Sequence, residues 1–254
     1  MFRRYLVPFK AHRLPHVLTD ALIIGGGVAG LRAGLAAAAH GDVLLVTKDD
    51  LKESNTFYAQ GGIATVMTPE DSFDAHIADT MAAGCGLSDR TAVETVVREA
   101  PARIHELIEW GANFDRELDG GLSITREGGH SYARIVHALG DATGRELANC
   151  LARKVRANGD IQVLEHTFVL DLITVDGGCI GALAWQRERG LFMILARQTL
   201  LASGGAGMLY RETTNPHVAT ADGHAMAFRA GAIVRNMEMV QFHPTTIYIA
   251  GATR

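Results

Sequence analysis

The apolar positions of this chain fall in short runs cut off by glycine. Asp20-Ala-Leu-Ile-Ile24 has the continuous apolar character of a buried strand, and it stops at Gly25-Gly-Gly27. Small, helix-favouring residues follow from Val28 to Ala39, and Gly41 stands where a helix would end. Val43-Leu-Leu-Val46 then reads as a second strand. Strand, turn, helix and strand within about thirty residues is the βαβ unit of a parallel sheet.

Residues 48–70 have little periodicity, and a connection of that length in a compact domain tends to carry function. The pattern predicts helices over 71–83 and 89–110, the second with Val93, Val96, Val97, Ile104, Leu107 and Ile108 at helical spacing. Pro101 marks a kink or a restart within it. Asp119-Gly120-Gly121 predicts a hairpin turn. Thr143-Gly-Arg-Glu146 matches a capping box opening a helix that runs to Asn158. Strands are predicted over 161–165, 167–175, 179–187 and 191–202, the last ending in the glycine cluster Ser203–Gly207. A short helix is expected near 220–230.

Composition narrows the class. With 48% hydrophobic and 20% charged residues, the 254-residue chain suits a soluble globular protein large enough for a substantial core. A net charge of −4 argues against a nucleic-acid or anionic-membrane partner. No run reaches the roughly twenty apolar residues of a membrane span. Cys85, Cys150 and Cys179 are odd in number, far apart and free of any CxxC spacing, so they read as buried reduced thiols of a cytoplasmic protein. Residues 1–19 are basic, lack Asp and Glu, and contain Pro8 and Pro15; they are expected to be a poorly ordered extension.

Gly25-x-Gly27-x-x-Gly30 sits directly after a strand and opens a helix. In a dinucleotide site the first glycine makes the tight turn, the second admits pyrophosphate against the backbone, and the third lets helix pack on strand. The helix start adds N–H groups and a positive dipole end. One element departs from that pattern. The ribose-binding acid expected about twenty residues on is replaced by Thr47-Lys48, which favours a flavin nucleotide over a nicotinamide one, since Lys48 can also face phosphate. The loop Ser54-Asn-Thr-Phe-Tyr-Ala-Gln-Gly-Gly62 offers backbone N–H groups and Gln60, which suit a flat polar ring.

At this point the residues resemble a known family. GGGVAG (25–30), SNTFYAQGGIA (54–64), TREGGHSYARIVHALGDATGRE (125–146), ASGGAG (202–207), TTNP (213–216), ADGHAMAFRAG (221–231) and QFHPT (241–245) together resemble the succinate dehydrogenase and fumarate reductase flavoproteins, and within them the L-aspartate oxidase branch. The resemblance implies an α/β fold: a Rossmann-like FAD-binding domain, with a parallel sheet, helices and an antiparallel β segment, over 20–236. Residues 237–254 would begin a capping domain, cut short here. Family members run to about twice this length, so the resemblance implies a fragment that binds FAD poorly and is inactive alone, with the catalytic arginine beyond residue 254.

The implied cofactor contacts are Gly25, Gly26, Gly27, Val28, Ala29, Gly30, Lys48, Asn55, Thr56, Phe57, Tyr58, Ala59, Gln60, Gly61, Gly62 and Asp222. Succinate-oxidising relatives carry a flavin-tethering histidine at the position of Asn55; asparagine cannot form that bond, so FAD is expected to be non-covalent. Asp222 reads equally as a helix N-cap, and Phe57 and Tyr58 equally as core. Glu127 is implied to meet the substrate ammonium, a natural partner for a carboxylate, and His243 a substrate carboxylate; a solvated loop charge and a structural histidine are the plainer readings. His130 and His137, with Asp141, lack metal-ligand spacing, so no metal site is expected; His130 reads as ordering its loop or facing substrate. The implied reaction is oxidation of L-aspartate to iminoaspartate with O2 or fumarate as acceptor, feeding quinolinate synthase in NAD biosynthesis. A fumarate reductase-type flavoprotein with non-covalent FAD, or a non-catalytic FAD-binding fragment, are the alternatives.

Overall fold

The computed structural model describes residues 3–242. Its elements in chain order are β1 (His16–Ile24), α1 (Val28–Ala37), β2 (Val43–Val46), the single turn α2 (Asn55–Tyr58), β3 (Ile63–Ala64), α3 (Phe73–Ala83), α4 (Arg90–Glu109), β4 (Ile124–Thr125), β5 (Ile135–Val136), α5 (Thr143–Ala157), β6 (Ile161–Leu164), β7 (Thr167–Val175), β8 (Gly178–Gln186), β9 (Gly190–Leu201) and α6 (Asp222–Arg229).

Six strands form one mixed sheet in the order β6-β2-β1-β9-β8-β7. β1 lies between β2 and β9 and is parallel to both, and β6 joins parallel to β2. β7, β8 and β9 form an antiparallel meander. Alternate residues of the central strands feed two cores, as expected where both faces of a parallel sheet are covered. Leu22, Ile24, Leu44 and Val46 meet Phe192, Ile194 and Met226 of α6 on one face. Ile23, Val43 and Leu45 meet Leu31 of α1 and Leu151 and Val155 of α5 on the other. A separate antiparallel sheet, β3-β5-β4, gathers three two-residue strands. The expected α/β architecture with an antiparallel segment is what the chain adopts.

Several local expectations need correction. The described residues before Asp20, from residue 3, are held in place. β1 starts at His16, Arg4 donates to the Leu172 carbonyl at 2.8 Å, and Leu6 N donates to Asp171 at 2.6 Å. Val7, Phe9 and Leu14 pack over Ile173, Leu183 and Met193. An extended strap needs only three apolar residues to cover the meander, so it leaves no periodic signature.

The capping box does not form either. α5 starts on Thr143 with Ala142 at the cap and no side-chain cap bond. Thr143 Oγ1 accepts from Ala138 N at 3.1 Å, and the buried Glu146 accepts from Asn113 N at 3.0 Å. Both side chains serve neighbouring loops instead of the helix end. α4 runs unbroken through Pro101, which removes one ladder bond without ending the helix. Among the cysteines, Cys150 is buried, and burial pushes its thiol pKa up; Cys85 and Cys179 are exposed.

The turn after β1 is fixed by a close approach. A Cβ at residue 30 would run into the Gly25 carbonyl oxygen, which is backbone and cannot swing aside. Gly30→Ala is therefore expected to lower the unfolding free energy by about 1–3 kcal/mol, whereas Gly159→Ala, where a Cβ meets open space, should stay within about 1 kcal/mol of the parent. Urea denaturation of the two variants measures the difference.

Candidate functional site

A cavity of about 430 Å³ opens at the carboxyl ends of β1, β2 and β9. Ligands of doubly wound sheets bind at that edge. Gly25, Gly26 and Gly27, which have no side chains, form one wall together with Val28 and Ala29. Gly30 lies beneath, against Gly25. The start of α1 points its N-terminal end here, and one of its amides is already engaged: Val28 N donates to Thr56 Oγ1 at 3.0 Å.

The predicted loop splits in two. Asn55 and Thr56 line the cavity together with Ser54, whose hydroxyl caps α2 by accepting from Phe57 N at 3.3 Å. Phe57 to Gly62 continue away toward the three-stranded sheet and are absent from the cavity lining. Tyr58 is about half exposed and donates to Glu53 at 2.8 Å, a bond that raises its phenol pKa; it is not core. The loop is seated by α5. Gly144 N donates to the Ala59 carbonyl at 3.0 Å, and a Cβ at 144 would collide with the Thr56 carbonyl oxygen.

Lys48 and Asp222 both line the cavity and are ion-paired across it, with the Thr220 hydroxyl as a third partner. Asp222 is therefore not an N-cap: Ala221, in the left-handed region at φ 63°, holds that position. His224, on the same helix, is a lining residue that sequence reasoning missed. Its Nδ1 is buried in the cavity wall with no hydrogen-bond partner. Leaving such an atom unpaired is costly. A side-chain-free cradle, a helix N-terminus and an orphaned polar atom in one cavity fit a nucleotide that brings phosphate and hydrogen-bonding groups.

Glu127 lies on the other sheet, in the turn after β4, with its side chain half exposed. Its Oε1 is 3.4 Å from His137 Nε2. The same nitrogen is 2.9 Å from Thr125 Oγ1. His130 faces elsewhere: its ring is 5.9 Å from that of His76, and its Nδ1 is 3.4 Å from Arg134. His130 and His137 thus belong to different neighbourhoods. His243 lies outside the described residues.

The strongest electrostatic feature was not anticipated. Arg134 is completely buried, gives two bonds to Asp71 at 2.7 and 2.9 Å, and a third to Asp79 at 2.7 Å. Burial pulls its pKa down, but the two carboxylates outweigh that and hold the guanidinium charged. Asp79 also accepts from Ser131 N and Oγ at 2.8 and 2.7 Å, and these bonds, ahead of Arg134, depress its pKa to about 2. Burial first, then Arg134, lowers the pKa of His76 below the usual histidine range. The network ties the turn holding Glu127 to α3. Its sequence signal was an arginine leading the apolar pair Ile135-Val136, with an acid at position 71.

Residues 20–253 match the FAD binding domain family. The chain belongs to that family. It is 49% identical over 233 residues to "L-aspartate oxidase, chloroplastic" of Arabidopsis thaliana, covering 90% of this chain and 36% of that one. It is 45% identical over 238 residues to "L-aspartate oxidase 1" of Ralstonia nicotianae, covering 90% and 44%. Among solved structures, a point mutant of the E. coli quinol fumarate reductase FrdA superposes at a TM-score of 0.80 with 34% identity, over 84% of this chain and 37% of that one. The chain thus spans well under half the length of these relatives. FAD is the cofactor of this family.

Removing one partner of a buried ion pair typically costs about 3–5 kcal/mol, and Asp71→Ala should do so, read by denaturant unfolding. Asp79, its pKa depressed when folded, stabilises above the ordinary carboxylate range. That contribution should fade as pH falls from about 4 toward 2, so the gap between the parent and Asp79→Asn should close over this window in pH-dependent melting curves.

Proposed function

We propose that this chain is the FAD-binding part of an L-aspartate oxidase, oxidising L-aspartate to iminoaspartate with O2 or fumarate as acceptor. The observation that carries this reading is the 45–49% identity to proteins of that name over nine-tenths of the chain. The position of Glu127 supports it: a half-exposed carboxylate is available to the ammonium that distinguishes aspartate from succinate. FAD, when bound, supplies the acceptor for the two electrons that leave the substrate. The chain's own residues do the rest. Backbone from Gly25 to Ala29 holds the phosphates, Lys48 and Asp222 close over the cofactor cavity, and Glu127 orients the amine. His243 is assigned to a substrate carboxylate by family resemblance alone.

Asn55 lines the cavity and has no imidazole nitrogen to bond a flavin, which supports non-covalent FAD. The iminoaspartate formed would pass to quinolinate synthase on the route to NAD. Among the described residues no helix is long and apolar enough to cross a membrane, and a cytoplasmic setting is part of this proposal. A fumarate reductase-type activity is the second reading, favoured by the likeness to FrdA.

Anaerobic addition of substrate to the FAD-loaded full-length protein tests these readings. L-Aspartate should bleach the flavin band and succinate should not. Bleaching by succinate alone would establish the second reading, and no bleaching with either would leave a non-catalytic FAD binder. Acid precipitation should release the yellow colour into the supernatant. Glu127→Gln should raise KM for L-aspartate by about 10–100-fold, the size of a lost charge-assisted bond.

A further inference from the structure

The residue after β5, His137, lies against the turn that carries Glu127. His137 Nε2 stands 2.9 Å from Thr125 Oγ1 and 3.4 Å from Glu127 Oε1. The ring is largely shielded, while the Glu127 side chain is half exposed. The ring also fits closely against the loop that leads from the cofactor cavity. A Cβ at residue 62 would meet Ile135 Cγ2 and the Val136 carbonyl oxygen and would lie 2.7 Å from the His137 Cε1, so β5 and the imidazole both close on that glycine. The His137 carbonyl accepts from Asp115 N at 2.8 Å, which fixes the backbone behind it.

We propose that His137 is a positioning residue that sets the direction of the Glu127 carboxylate and so favours amino-bearing dicarboxylates over those without an amine. The proposal rests on the aspartate oxidase reading. Its logic is one of donors and acceptors. A carboxylate only accepts, and so the contact with Glu127 requires the proton to sit on Nε2. Thr125 Oγ1, nearer at 2.9 Å, shares that N–H and helps hold the ring beside the turn. One carboxylate oxygen is then engaged by the protein, and the other is left for the substrate ammonium. The far side of the turn is held independently by Ser131 on Asp79, and Asp79 on Arg134. Rotation of the Glu127 side chain is thus the remaining freedom, and His137 restricts it.

A dicarboxylate lacking the amine makes no use of Glu127, so the two ligand types separate this role from a general structural one. In the FAD-loaded full-length enzyme, His137→Ala should raise KM for L-aspartate about tenfold with kcat changed less than KM. The inhibition constant of succinate, the same skeleton without the amine, should stay within about twofold, as should the dissociation constant of FAD. His137→Gln, whose amide can donate from a similar position, should restore most of the aspartate KM, and it serves as the second variant should the alanine protein fold poorly. Equal rises in the aspartate KM and the succinate constant would overturn the inference, as would an unchanged aspartate KM. A parent enzyme that does not oxidise L-aspartate would instead overturn the functional reading, and the inference with it.

Discussion

Residue 144 has no side chain, and the position of the cofactor cavity depends on that. Because α5 presents bare backbone there, the carbonyls of Thr56 and Ala59 can settle on its first turn, with Gly144 N donating to Ala59. Thr56 is thereby placed so that its hydroxyl accepts from Val28 at the start of α1. α5 also packs through Leu151 and Val155 against the core that includes Leu31 of α1. One helix therefore sets the height of two cavity walls at once. Any side chain at 144 would push the loop off α5, and the wall with it.

Charge is arranged differently in the two halves of the molecule. In the cofactor cavity, Lys48 and Asp222 neutralise each other at the rim, a partly exposed pair that a phosphate can compete for. Beneath the Glu127 turn, Arg134 is shut away from water with two acids around it. An isolated guanidinium could not be held there, since the desolvation cost is repaid only by well-aligned partners. The buried network therefore acts as a single unit: Arg134 needs Asp71 and Asp79, and Ser131 follows Asp79.

Much of the fold could be read locally. The strands over 161–202 and the glycine turn after Ile24 are set by neighbouring residues, and the structure places elements within a few positions of those readings. Readings failed where a residue's partner lies far along the chain. Glu146 satisfies a local capping rule, yet its carboxylate goes to Asn113, 33 residues upstream. The strap of residues 3–15 is held by β7 and β8, 168 residues away in the case of Arg4 and Leu172. Arg134 drew no reading because its acids sit 63 and 55 positions upstream. His224 was silent because its distinguishing property, a buried nitrogen without a partner, belongs to the cavity and not to the helix pattern.

The two sheets divide the labour of the site. The large sheet presents the glycine turn, Lys48 and, through α6, Asp222, all lining the cavity. The three-stranded sheet carries Thr125, His137 and the turn with Glu127. The residues from Asn55 to Gly62 run between them, seated on α5 at one end and joined to β5 through β3 at the other, and the chain after β5 returns through α5 to β6. α5 couples the two sheets: its Leu147 and Cys150 pack with Val136 of β5, and its Leu151 and Val155 with Val43 and Leu45 of β2. Under the proposed function, residues around β4 and β5, with Glu127 and His137 among them, bear on the substrate, and the glycine turn after β1 bears on the cofactor.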